Sequence, residues 1–118
     1  MSKPKVMLTV DVEALTMRAE SDHVNTLIYG YKDGKEYGIG KMMDIADKHN
    51  IKMTFFVDFA ECELYGEDIL EVGRYIASRG HDMQVHCHYD VLASKVGKPD
   101  FVNVRDNYYL WYQNEALS

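Results

Sequence analysis

Thiol is scarce in this chain, whose two cysteines are Cys62 and Cys87. Two cannot make the framework that staples small secreted domains, so a packed core and a reduced, cytoplasmic setting are expected. Cationic charge is scarce as well: thirteen lysines and arginines face nineteen aspartates and glutamates, for a net charge of −6. Without a basic stripe to neutralise phosphates, nucleic acid is excluded as a partner. No apolar run approaches the roughly 18 residues that span a bilayer. The opening Met1-Ser2-Lys3-Pro4-Lys5 lacks the apolar stretch of a signal peptide. Repeats, low-complexity stretches and linkers are missing too. What remains, 118 residues of which 47% are hydrophobic, fits a single domain with a modest core.

The hydrophobic pattern predicts alternating strands and helices. Lys5 to Val10 is β-rich and apolar, the pattern of a strand buried on both faces, and it stops at Asp11-Val12-Glu13. Residues 14–35 are polar and mixed, with turn signals at Gly30 and Asp33-Gly34, and read as one long loop. Ile39, Met42, Met43 and Ala46 recur at helical spacing up to His49-Asn50. A second strand runs from Lys52 to Val57 and ends at Asp58. Glu67 and Asp68 open another helix, with an apolar stripe through Ile69, Val72, Gly73, Ile76 and Ala77. Gly80 is its natural C′ residue, and the third strand is Asp82 to His86. The order β-loop-α-β-α-β predicts an α/β fold with parallel strands.

Parallel strands joined by helices put their C-terminal ends on one rim, where α/β proteins build their sites. Asp11 and Glu13, Asp58, and His86 and His88 all fall at such ends. On a strand that persisted, His86, His88 and Asp90 would share a face. Imidazoles with carboxylates suit zinc or another divalent transition metal. The predicted ligands are Glu13, His86 and either His88 or Asp90, the choice between the last two staying open. Asp58 is a candidate for orienting a ligand imidazole or meeting substrate. His23, in the long loop, is a candidate substrate contact whose plainer reading is a surface histidine. Cys87 has the opposite strand parity and reads as a buried thiol, and Met42, Met43 and Met53 read as core filling.

Three segments together resemble the polysaccharide deacetylase family, also called NodB-homology or carbohydrate esterase family 4. Thr9-Val10-Asp11-Val12-Glu13 stands where that family has Thr-Phe-Asp-Asp-Gly, with Glu13 fitting its Asp-x-Glu variant. The usual metal aspartate falls on Val12, which cannot ligate. Gly80-His81-Asp82-Met83-Gln84-Val85-His86-Cys87-His88-Tyr89-Asp90 stands where the family has Gly-His-Glu-x-x-x-His-Ser/Thr-x-x-His. Its second metal histidine falls on Asp90, while some relatives carry His-x-His as here. Met53-Thr54-Phe55-Phe56-Val57 is similar to the family's Ala-Thr-Phe-Phe-Val strand. The resemblance implies a zinc-dependent hydrolase acting on acetylated carbohydrate or a small amide, with Asp11 as catalytic base. It implies a portion of a distorted (β/α) barrel, a fold of about 200 residues or more.

The resemblance covers roughly residues 5–92 and only the front of the family's domain. Its later motifs, an arginine that orients the base, an acetyl pocket and a histidine acid, find no place in 118 residues. The aromatic segment Asn107-Tyr108-Tyr109-Leu110-Trp111-Tyr112 suggests a packing surface for further strands. An incomplete domain is therefore expected, one that alone is marginally stable, self-associates through open sheet edges or belongs to a longer protein. The competing reading is a non-catalytic metal- or carbohydrate-binding fragment.

Overall fold

The computed structural model describes residues 2–88, and the aromatic segment and Asp90 lie outside them. The chain enters strand β1 at Thr9–Val12, four residues later than the apolar run begins. Val6 and Met7 are 82% and 71% exposed, so apolar composition alone did not recruit them into the strand. Nor is β1 buried on both faces: Thr9 and Asp11 are exposed while Val12 is buried.

The expected long loop is in fact structured. A 3-10 turn at Thr16–Arg18 precedes a π-helical segment at Val24–Tyr29, which buries Val24 and Ile28. Strands β2 (Tyr31–Lys32) and β3 (Lys35–Glu36) then form an antiparallel hairpin. Its turn is Asp33-Gly34, both with positive φ (52° and 76°), the pairing that two-residue hairpins favour. The hairpin is latched to the helical layer through Glu36, which accepts hydrogen bonds from the Tyr31 hydroxyl at 2.9 Å and the Tyr75 hydroxyl at 3.0 Å. That latch needs Gly40, because a Cβ there would lie 1.8 Å from Glu36 Oε2.

Helix α1 spans Ile39–Lys48 and buries Ile39, Met43 and Ala46 of the predicted stripe, whereas Met42 is 40% exposed and does not fill the core. Strand β4 is Thr54–Asp58, followed by a 3-10 turn at Phe59–Glu61 and the short helix α2 at Cys62–Tyr65. Helix α3 runs Glu67–Ser78 on buried Ile69, Val72, Gly73 and Ile76, and strand β5 is Asp82–His86. Helix α3 stops at Gly80 (φ 75°), with Gly80 N–H donating to the Ala77 carbonyl and His81 N–H to that of Ile76. This is the Schellman ending, and it turns the chain straight into β5.

β1, β4 and β5 form one parallel sheet in that spatial order. Registers pair Val10 with Phe55 and Met83, and Val12 with Val57 and Val85. The buried members of that face, Val12, Phe55 and Val57, share one core cluster with residues of α1 and α3. Burying each such apolar side chain contributes roughly 1.5–3 kcal/mol. The opposite face carries Asp11, Phe56, Gln84 and His86 and is largely uncovered. No disulfide joins Cys62 to Cys87, and both side chains are half-buried. No helix among the described residues is long and apolar enough to cross a membrane.

Candidate metal centre

Parallel pairing brings the ends of β1, β4 and β5 to one rim, with Asp58 beside His86 in register. Glu13 lies one residue past β1 and is the hub. Its Oε1 accepts hydrogen bonds from His86 Nε2 at 2.9 Å and from His88 Nε2 at 2.7 Å. The two imidazoles meet edge to face, their centroids 4.7 Å apart. One carboxylate oxygen and two ring nitrogens thus lie within 4.8 Å of one another.

This donor set fits a divalent transition metal: the atoms that converge are the atoms a zinc ion binds, and the imidazoles must give up protons to bind it. Burial pushes the Glu13 carboxyl up, but hydrogen bonds and charge from His88 and His86 outweigh it and hold the group below the ordinary carboxylate range. Asp11 stands apart from the three. Its Oδ2 is 3.9 Å from His86 Nε2, too long for a hydrogen bond, and its side chain is 61% exposed against 16% for Glu13.

His88 does not reach the hub by strand parity, since β5 ends at His86. It is held by Asp58, whose Oδ1 accepts the His88 backbone N–H at 3.3 Å and that of Ala60 at 3.1 Å. The expectation for Asp58 is corrected accordingly: it steadies the backbone of a candidate ligand rather than its imidazole. Asp58 is buried, and burial raises its carboxyl above the ordinary value despite those two N–H donors.

His23 is drawn towards this rim only indirectly. Its ring stacks on Tyr65 at 5.3 Å, and its Nε2–H donates to the Thr16 carbonyl at 3.0 Å. One ring nitrogen and the stacked ring are therefore engaged with protein, and His23 is half-buried.

Two residues escaped the sequence reading. Glu61 is buried, and its Oε1 accepts the Ala14 N–H at 2.6 Å; Tyr65 donates its hydroxyl to the Ala14 carbonyl at 3.0 Å. Burial raises Glu61 to about 6, opposed by the Ala14 N–H and reinforced by the negative charges of Asp58 and Glu13. Asp58 Oδ2 and Glu61 Oε2 have no hydrogen-bond partner among the described residues. The available signal was position alone: both residues follow a strand end on the rim already marked as functional.

Family models, curated proteins and solved structures yield no match to this chain.

Proposed function

We propose that the chain is a metal-dependent hydrolase of the polysaccharide-deacetylase kind, removing acetyl groups from N- or O-acetylated carbohydrate. The observation that carries this reading is the single Glu13 oxygen shared by His86 and His88, with Asp11 beside it. The sheet supports the same reading. Strands adjacent in chain order, with helices in one core on one face, are how a (β/α) barrel wall is built.

Glu13, His86 and His88 would hold the metal. Zinc at such a site supplies a Lewis acid for the carbonyl and lowers the pKa of water towards about 7. Asp11 is the base. It is not hydrogen-bonded to His86, so an oxygen remains to take the proton of an attacking water. Asp58, which accepts the His88 backbone N–H, would keep that imidazole in position to hold the cation.

The test is elemental analysis of the purified 118-residue chain together with acetate release from N-acetylated oligosaccharides. One zinc per chain is expected, absent from His86→Ala, with acetate release abolished in Asp11→Asn while zinc stays. Zinc without acetate release would favour the non-catalytic metal-binding reading, and a zinc-free chain would end both.

A further inference from the structure

Ala14, the residue after Glu13, is wholly buried, and both of its backbone polar groups are held by side chains. Its N–H is taken by Glu61 and its carbonyl by Tyr65. Those two residues are four apart on the continuous run of 3-10 turn and α2, so they reach out on one side. Tyr65 is itself braced by the stacked His23 ring. Packing does not explain the choice of residue: a buried carboxylate with one unpartnered oxygen is costly, and an apolar group would fill the space at lower cost. What a carboxylate does give is a short, strong bond to a backbone N–H.

We infer that Glu61 and Tyr65 clamp the Ala14 peptide and thereby aim Glu13 at His86 and His88, making both of them positioning residues of the metal centre. This rests on the metal reading above. Glu13 has to present one oxygen to two imidazoles, and a side chain does so only from a fixed Cα. Because the clamp acts on the neighbouring peptide, the Glu13 carboxylate stays available for a cation.

Zinc affinity of the full chain, measured by chelator competition, tests the clamp. Outer groups that orient metal ligands are worth about 10–100-fold in affinity, and a loss in that range is expected for Glu61→Ala. Glu61→Gln keeps an oxygen for the Ala14 N–H and should stay within about threefold of the original chain. Ile76→Val, in the core away from the rim, should lower stability and leave zinc affinity unchanged. Should Glu61→Ala fail to fold, Tyr65→Phe, which removes a single hydroxyl, is expected to cost about tenfold. Undiminished affinity in Glu61→Ala or Tyr65→Phe, or a Glu61→Gln as weak as Glu61→Ala, would overturn the clamp while leaving the metal site standing. If the original chain takes up no zinc, the hydrolase reading fails first. Exchange of the Ala14 amide then decides the clamp: protection lost in Glu61→Ala and kept in Glu61→Gln upholds its geometry, and equal exchange in all three refutes it.

Discussion

Both ends of the parallel sheet carry histidine paired with carboxylate, and the two pairings are built differently. At the N-terminal end, the His81 side chain is fully buried. Its Nδ1 accepts the Met53 N–H at 3.1 Å and its Nε2–H donates to Asp47 at 2.9 Å. Every polar position of that ring is used once, and nothing is left for a ligand. At the C-terminal end, His86 and His88 point the same ring nitrogen at one oxygen of Glu13, and both rings are partly open to solvent. A saturated imidazole locks a fold together, whereas two imidazoles crowded on one acceptor form a donor set that a cation can take over. Both kinds sit within the Gly80–His88 motif, so a histidine count would not have separated them.

The strongest way to break this contrast is to remove His81. His81→Ala leaves the Met53 N–H buried without its acceptor and opens a cavity against Phe55, whose ring meets the imidazole edge-on at 5.9 Å. A loss of about 3 kcal/mol in unfolding free energy is expected, read from the urea midpoint. Any chain that still folds should keep its zinc stoichiometry. A loss under about 1 kcal/mol would mean that His81 is no lock.

His86→Ala should do the reverse. The side chain is 28% exposed and stands on the largely uncovered face of the sheet, so stability should shift by under about 1 kcal/mol. Zinc affinity should fall by more than about 100-fold, beyond what outer-shell groups contribute. Added zinc should then raise the melting temperature of the original chain and not that of the variant. Equal zinc stabilisation of the two would remove the distinction between the ends.

How far the sequence carried each end follows from what each depends on. β5 and the stop of α3 were legible because they follow local rules: an amphipathic stripe, then a glycine able to adopt φ of 75°. The meeting of Glu13 and His86 was legible too, since parallel topology assigns both strand ends to one rim, while the sequence left His88 and Asp90 as alternatives. What was not legible is tertiary. The route of His88 to Glu13 depends on an Asp58 carboxylate reaching a backbone N–H thirty residues on. The segment after β1 looked like loop because its two short strands show no alternation. The hairpin is fixed instead by the Asp33-Gly34 turn and by Glu36 seated over Gly40. The start of β1 was misplaced because Val6, Met7 and Leu8 read as buried strand and are exposed.

The carboxylates of the rim also give it a pH signature of its own. The folded-state pKa of Glu61, about 6, lies above its ordinary 4.5. Its contribution to stability is therefore complete below pH 4.5 and lost as the pH rises through 6. Glu13 is shifted the other way, so its contribution is present above the ordinary carboxylate range and lost as acid is added. Glu61→Gln should gain on the original chain between pH 4.5 and 6 and hold that margin at neutral pH. Glu13→Gln should lose stability at neutral pH and converge with the original chain in acid. Urea midpoints of the three chains across this range measure both slopes, and parallel curves would contradict the assigned shifts.

The smallest effect belongs to the outer layer of the N-terminal end. Arg79 bridges Asp44 at 2.7 Å and Asp47 at 3.0 Å, and so ties the end of α3 to α1 beside the Asp47–His81 bond. Those hydrogen bonds raise the guanidinium and lower Asp47, yet both carboxylates are 40% exposed or more. Solvent screening limits exposed pairs of this kind to under about 1 kcal/mol. Arg79→Ala should therefore cost less than about 1 kcal/mol, and most of that cost should vanish in about 1 M salt, where the screening length is near 3 Å. A larger, salt-resistant loss would mean that Arg79 acts through Asp47 on the buried His81 ring, making the guanidinium part of the lock rather than its surface.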